Sequence, residues 1–164
     1  MGERAALQVL YDGWATYQDK LVAAVTPLTD DQFGLRAAPH LRSVGELLTH
    51  IVAVRAGWFH FDLGMGGDEW REVVEWQDPG ARPRSAAELR EGLSSTWRFV
   101  RDSLATWTPD ELEATIHSRW PAPGEEGLTY VRGWIVYHVL EHDIHHGGEL
   151  GYLLGMHALA GPDI

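Results

Sequence analysis

The stretch TYVRGWIVYHVLEHDIHHGGELGYLLGMH, residues 129–157, is a long segment with helical periodicity. Its apolar residues recur every three or four positions, which predicts one amphipathic helix from about Thr129 to about His157. Four of the chain's nine histidines lie between residues 138 and 146. The segment therefore predicts both a core helix and a candidate site on that helix.

Three other segments have the same periodicity and are bounded by caps or glycines: residues 3–25, 43–63 and 85–107. The second and third begin with capping boxes, formed by Ser43 with Glu46 and by Ser85 with Glu88. Little strand pattern remains elsewhere, so we predict an all-α four-helix bundle, with residues 1–164 as a single domain. The connections of about 15 to 25 residues are long for such a bundle and leave the helix order open.

The composition argues against several kinds of site and partner. The chain has no cysteine, which excludes disulfides and thiolate metal ligands. A net charge of −11 argues against binding to nucleic acid or to anionic membranes. No stretch approaches the roughly 20 apolar residues of a membrane span, and the N-terminal residues do not resemble a secretory signal. We therefore expect a cytoplasmic protein.

Projection around the helix axis separates the four clustered histidines. With about 100° per residue and Ile135 at zero, His142 lies at about −20° and His146 at about +20°, at the centre of the apolar stripe. His138 lies at about −60°, on the shoulder of the stripe, and His145 at about −80°, close to its side. His142 and His146 are one turn apart on one face, so they are placed to share one ion.

A functional metal site needs at least one further ligand from another helix. Without cysteine this ligand must be His, Asp or Glu, and such a set favours Zn, Ni or Fe over Ca or Mg. The best-placed candidate is His50, on the apolar stripe of the second helix. A single histidine on such a stripe is more commonly a core residue, so the residues by themselves leave both interpretations open.

The second ring nitrogen of a ligating histidine usually needs a hydrogen-bond acceptor. Glu141, Asp143 and Glu149 are near enough in sequence, and Glu149, at about −40° on the same face, is expected to point inward. His138 and His145 are candidates for surface or supporting roles.

Two motifs resemble those of the DinB/YfiT-like superfamily. HVLEHDIHHGGELGYLLG, residues 138–155, resembles its last-helix motif H-x-x-x-H-x-x-x-H-R-G-Q, and RSVGELLTHIVAVRAGW, residues 42–58, resembles its second-helix motif. The resemblance implies a four-helix bundle with a divalent metal at one end, held by three histidines. From the donor set we expect this metal to be Zn or Ni. Carried over, these ligands are His50, His142 and His146, and His138 matches a histidine often found one turn earlier.

Two positions depart from the last-helix motif. Gly147 stands where the motif has Arg, and Glu149 stands where it has Gln. The missing arginine removes a possible anchor for an anionic group. Glu149 could accept a hydrogen bond from a ligand, act as a base or add a further ligand. We therefore expect the substrate to differ from that of relatives with Arg and Gln.

The resemblance also implies partners. Members of the superfamily are often homodimers, and some use low-molecular-weight thiols in transfer or isomerisation reactions. We therefore expect a small-molecule substrate such as a thiol, and a homodimer. Tyr137, Leu140 and Ile144 form a second apolar stripe on the last helix, which could pack on a neighbouring helix or form the dimer seam.

Two functions follow as hypotheses. The first is a metal-dependent transferase or hydrolase with a three-histidine site, in which the catalytic residues are unknown and His138 and Glu149 are candidates for supporting roles. The alternative is a non-catalytic dimeric bundle with a structural or vestigial metal site. A metal-free, pH-sensitive histidine patch fits less well, because burial suppresses protonation.

Overall fold

The computed structural model describes residues 3–118 and 127–162, with side chains from residue 7 onward. The helices are α1 Glu3–Val25, α2 Val44–Gly57, α3 Glu69–Val74, α4 Ala86–Leu104, α5 Pro109–Glu113 and α6 Arg132–Met156. Two short strands, β1 Thr115–His117 and β2 Thr129–Val131, pair antiparallel with Ile116 opposite Tyr130. In these ranges, no helix has the length and apolar character that crossing a membrane requires.

Local sequence signals set where the long helices begin and end. Both predicted capping boxes form: the Ser43 hydroxyl accepts from the Glu46 N–H, the Glu46 carboxylate accepts from the Ser43 N–H, and the pair at the start of α4 does the same. A π-helical turn, Trp58–Asp62, directly follows α2. Together they cover nearly all of the segment 43–63 that the periodicity predicts as one helix. The start of α6 differs from the expected Thr129, because Thr129–Val131 is alternating, β-branched and aromatic sequence and pairs with β1.

The four long helices α1, α2, α4 and α6 form the bundle that the sequence predicts. Helix α2 packs against α4 and α6, and α1 packs against the same two helices, so α1 and α2 lie at opposite corners. One hydrophobic cluster joins the C-terminal parts of α1 and α6 to the N-terminal parts of α2 and α4, and a second cluster joins the opposite ends. Helices α1 and α6 therefore run one way, and α2 and α4 run the other way. Parallel neighbours cannot be joined by a tight turn, which explains the long connection between α2 and α4.

A buried polar network lies between the two hydrophobic clusters. The Arg55 guanidinium donates to the Asp143 carboxylate, with Nη2 at 2.8 Å from Oδ2 and Nε at 3.0 Å from Oδ1. Trp14 Nε1 donates to the same carboxylate at 2.8 Å. Gln18 accepts from Arg55 at 2.8 Å and donates to the Leu93 carbonyl at 3.1 Å. Side chains of α1, α2 and α6 and a carbonyl of α4 thus join all four long helices at one level.

Gly147 allows α6 to approach α1 closely. A Cβ atom added there would overlap Tyr17 Oη and lie 2.9 Å from Leu21 Cδ2. A side chain at position 147 would therefore be directed into the α1–α6 contact, where Tyr17 leaves no room for the arginine that the motif has at this position.

We expect Gly147→Ala to lower the free energy of unfolding by about 1–3 kcal/mol, because the added methyl group overpacks a buried contact. Gly148→Ala is the matched control, because a Cβ there meets no atom within 4 Å. That variant should gain about 0.5–1 kcal/mol from the better helix propensity of alanine. Urea unfolding measures both. Tyr17→Phe removes the nearest clashing atom and should restore part of the loss, and equal stability of the two alanine variants would contradict the overpacking.

Candidate metal centre

Three histidines from two helices converge on one point. His50 on α2 meets His142 and His146, one turn apart on α6, and one ring nitrogen from each lies within 4.8 Å of the other two. The Nε2 atoms of His50 and His142 are 3.0 Å apart. Two imidazole nitrogens bound to one tetrahedral Zn lie about 3.3 Å apart, for Zn–N bonds of about 2.0–2.1 Å. The spacing of these nitrogens fits a shared divalent ion.

Two of the three rings are oriented by hydrogen bonds on the nitrogen that faces away from this point. His50 Nδ1 donates to Gln77 Oε1 at 2.9 Å, and His146 Nδ1 donates to Glu149 Oε2 at 2.6 Å. Such acceptors are the usual supporting contacts of metal-ligating histidines, because they fix the tautomer and leave Nε2 for the ion. His142 departs from this arrangement: its Nδ1 atom is buried and has no hydrogen-bond partner within the described ranges.

Gln77 was missed by sequence reasoning. It follows α3 in a 3₁₀ turn, Glu75–Gln77, whose neighbours are charged or aromatic residues. No periodic pattern marks a single exposed glutamine in a connection, and it meets His50 only because this turn packs on α2. Glu149, in contrast, was expected from its position on α6. Its carboxylate contacts His146, but the side chain is nearly half exposed rather than pointing inward.

Burial favours the neutral form of two candidate ligands, His142 and His50. Burial, together with the like charges that the neighbouring His146 and His50 would carry, lowers the pKa of His142 to about 3. Burial also lowers the pKa of His50, and this effect outweighs the hydrogen bond to Gln77, which raises it. Neutral imidazoles are the form that binds metal, so protons compete weakly for these two rings.

We expect the metal-free protein to lose stability as the pH falls from about 7 to about 5. His142 has a pKa of about 3 in the folded chain, against 6.5 for an unperturbed histidine. Between these values the unfolded chain binds a proton that the folded chain excludes, so lowering the pH favours unfolding. Urea unfolding at several pH values should show a weaker pH dependence for His142→Gln than for the wild type. The exposed His145→Gln is the control, and an unchanged dependence in His142→Gln would contradict the assignment.

Glu149 connects two histidines of α6. Its Oε2 atom accepts from His146, and its Oε1 atom lies 3.5 Å from Nε2 of the exposed His145. Burial raises the pKa of the Glu149 carboxyl, but the hydrogen bond and charge of His146, with the charges of His145 and Arg42, outweigh it and hold the pKa below its usual value. The three groups His145, His146 and Glu149 could also hold an ion, but two of them are exposed.

We expect Glu149→Ala to weaken Zn binding about 10- to 100-fold, because His146 loses the acceptor that orients its ring. Glu149→Gln keeps an oxygen acceptor, so its effect should be smaller. Competition with a chromophoric chelator measures both affinities. Glu141→Ala is the control, because that carboxylate lies on the same helix, 3.6 Å from His138. Equal affinities for wild type and Glu149→Ala would exclude this supporting role.

The structure places His138 beside the centre and three other histidines away from it. His138 stacks on Trp134, with ring centroids 5.0 Å apart and planes 4° apart, and meets the edge of Trp58. The ring centroid of His138 lies 6.5 Å from that of His142, so His138 is next to the centre but not part of the converging group. His60, His117 and His157 make hydrogen bonds to loop or strand groups away from it.

Two cavities border the centre. One, of about 610 Å³, is lined by His50 and Gln77 and by the loops before α2 and α4. The other, of about 450 Å³, is lined by Glu149 and Tyr152 of α6 and by the loop before α2. Arg42 lines both. A small molecule therefore has room beside His50.

Comparison with known proteins agrees with the bundle and the two motifs. Residues 14–150 match the family model of the DinB superfamily. The chain is similar in structure to a DinB-like protein from Bacillus cereus ATCC 10987, with a TM-score of 0.69, 18% identity and 93% of both chains covered.

Two further solved structures are similar. A candidate member of the DinB family from Exiguobacterium sibiricum 255-15 has a TM-score of 0.65 and 17% identity, over 92% of this chain and 91% of that chain. A DinB-like protein from Bacillus subtilis has a TM-score of 0.64 and 14% identity, over 94% of this chain and 95% of that chain. No curated protein matches the sequence. At these identities the solved structures show the fold alone, and it is the family model, matching most of the chain, that shows that this protein belongs to the DinB superfamily.

Proposed function

We propose that this protein is a divalent-metal-dependent enzyme that acts on a small molecule, as a thiol-S-transferase or a hydrolase. One observation carries the proposal: within the described residues, the converging group offers three histidine nitrogens beside a cavity. Structural zinc sites are closed by four protein ligands, whereas catalytic sites use three and keep one position for water or substrate. Zn and Ni are the ions that suit this donor set best.

The chain's own residues would prepare the site for this chemistry. Gln77 and Glu149 hold the Nε2 atoms of His50 and His146 toward the common point. Burial keeps His142 neutral at physiological pH. The chemistry supplied by a bound divalent ion is a lowered pKa of a water or a substrate thiol, which makes a nucleophile available near pH 7. A low-molecular-weight thiol fits the cavity beside His50 in size.

The test begins with protein purified without an immobilised-metal column. Metal content is measured by mass spectrometry, before and after addition of Zn or Ni, and should approach about one ion per chain. Transferase activity is assayed with cysteine and monochlorobimane, in which the thiolate sulfur displaces chloride. Hydrolase activity is assayed with p-nitrophenyl acetate. One of the two rates should rise with the added ion and fall with EDTA, and a chain that binds neither ion would overturn the proposal.

A second candidate, a non-catalytic dimeric bundle, is favoured by one observation. Several large apolar side chains of α6 are exposed, among them Trp134 at 43%, Tyr137 at 59% and Ile144 at 47%. Such a face could be a seam between two copies. This candidate predicts a dimer in sedimentation equilibrium, bound metal and no metal-dependent rate in either assay. A metal-dependent rate would exclude it.

A further inference from the structure

The cavity beside His50 is rich in arginine although the chain is strongly acidic. Four arginines line it, Arg36, Arg42, Arg82 and Arg84, together with three carboxylates. The whole chain has 13 basic and 24 acidic residues, whereas the lining of this cavity has more arginines than carboxylates. Arginine is the residue that best matches the geometry of carboxylate and phosphate groups.

Two of these arginines already have carboxylate partners. Arg36 makes a two-pronged contact with Glu46, with nitrogen–oxygen distances of 2.6 and 2.7 Å. Arg82 makes the same kind of contact with Glu88. Their charges are neutralised locally, so neither is free to hold a ligand.

The other two arginines keep unused donors. Arg42 is exposed and has no hydrogen bond or ion pair within the described residues. Arg84 lies over the Trp76 ring at 4.9 Å, and its nearest carboxylate oxygen, on Glu88, is 3.9 Å away, too far for a hydrogen bond. Stacking on the indole holds the Arg84 guanidinium in place without using its N–H donors.

Both arginines lie close to the candidate metal centre. Trp76, under Arg84, is followed directly by Gln77, which bonds His50. Arg42 lines both cavities, and its positive charge lowers the pKa of both His50 and Glu149. A molecule that fills the cavity beside His50 would therefore meet His50 at one side and unpaired arginine donors at another.

We propose that Arg42 and Arg84 form an oxyanion subsite, so that the substrate carries a carboxylate or phosphate group in addition to the group that reacts at the three histidines. This inference rests on the proposed function, because the same cavity is taken as the substrate site. Arg42 is the main anchor and Arg84 is the pre-oriented second donor.

The test uses the full chain freed of metal with EDTA, so that no ion can bind the probe. Succinate and inorganic phosphate are titrated separately at constant ionic strength, with neutral succinamide as the control ligand. The chemical shifts of the arginine Nε–H and tryptophan indole N–H groups report binding. Succinate or phosphate should shift the Arg84 and Trp76 signals in a saturable way, and succinamide should not. The anion that binds more tightly identifies the class of oxyanion.

Substitutions assign the binding to these residues. Arg42→Gln should weaken binding of the preferred anion about tenfold, the loss of one charged hydrogen-bonding group. Arg42→Lys keeps the charge but loses the two-pronged geometry, so it should lie between wild type and Arg42→Gln. Arg101→Gln is the matched control, because Arg101 pairs with Asp102 on α4 and does not line the cavity.

The outcomes separate this subsite from the metal site. Absence of saturable shifts with both anions, or equal affinities in wild type and Arg42→Gln, would overturn the subsite. Zn binding is measured on the same preparations and should be unchanged in Arg42→Gln. Zn binding without anion binding contradicts the subsite and leaves the metal proposal standing. Anion binding without Zn binding supports the subsite and contradicts the metal proposal.

Discussion

We expect Asp143→Asn to lower the free energy of unfolding by about 3–5 kcal/mol, because it removes one partner of a buried ion pair and leaves the other charge uncompensated. Arg55 and Asp143 are both fully buried, and the Asp143 carboxylate also accepts from Trp14. An asparagine amide is neutral and can replace only part of these contacts. Urea unfolding followed by circular dichroism at neutral pH measures the change.

The exposed pair of Arg98 and Glu91, 2.8 Å apart, provides the matched control. Glu91→Gln makes the same chemical change in water, where losing an ion pair costs less than about 1 kcal/mol. Replacing both buried partners, with Arg55→Met and Asp143→Leu, should cost less than Asp143→Asn alone, because no charge is left unpaired. Similar losses for Asp143→Asn and Glu91→Gln would show that the buried network contributes no more than an exposed pair.

The second large effect concerns metal binding. We expect His142→Ala to weaken Zn binding by at least about 100-fold, more than the roughly 10- to 100-fold typical of losing a supporting residue. The ring of His142 lies close to both other candidate ligands, with centroids 4.7 Å from His50 and 4.3 Å from His146. Competition with a chromophoric chelator measures the affinity. The metal-free fold should survive, because the substitution removes a half-buried polar ring with a buried, unpaired Nδ1 atom.

His145→Ala is the control for this substitution. His145 lies in the same cluster of sequence, but its side chain is 64% exposed and its partner is Glu149. It should retain Zn affinity within about twofold of the wild type, as expected for an exposed residue that is not a ligand. A loss of Zn affinity in His145→Ala but not in His142→Ala would place the ion at His145, His146 and Glu149 instead. No loss in either variant would exclude His142 as a ligand.

Periodicity and caps predicted much of this structure. The starts of two helices were predicted from capping boxes, formed by Ser43 with Glu46 and by Ser85 with Glu88. A capping box is a local signal, because its two side chains bond backbone N–H groups within the same four residues. The separation of His142 and His146 from His145 also followed from local geometry, since the angle between residues on a helix is fixed by its pitch. Hydrogen bonds and helix pitch are short-range properties, so the order of residues is sufficient to determine them.

The tertiary structure decided which groups meet across helices. The pairing of Arg55 with Asp143 joins residues that are far apart in the chain, and no periodic pattern marks either as a partner of the other. The sequence also does not show that Gln77 contacts His50, or that the N–H donors of Arg42 and Arg84 face the cavity. Both features depend on how the connections between the helices pack against the bundle. By itself the sequence determined the helices and the face of α6 that carries His142 and His146. The packing of helices and loops determined the buried ion pair, the neighbours of His50 and the charge of the cavity, because these depend on contacts between distant residues that local geometry does not specify.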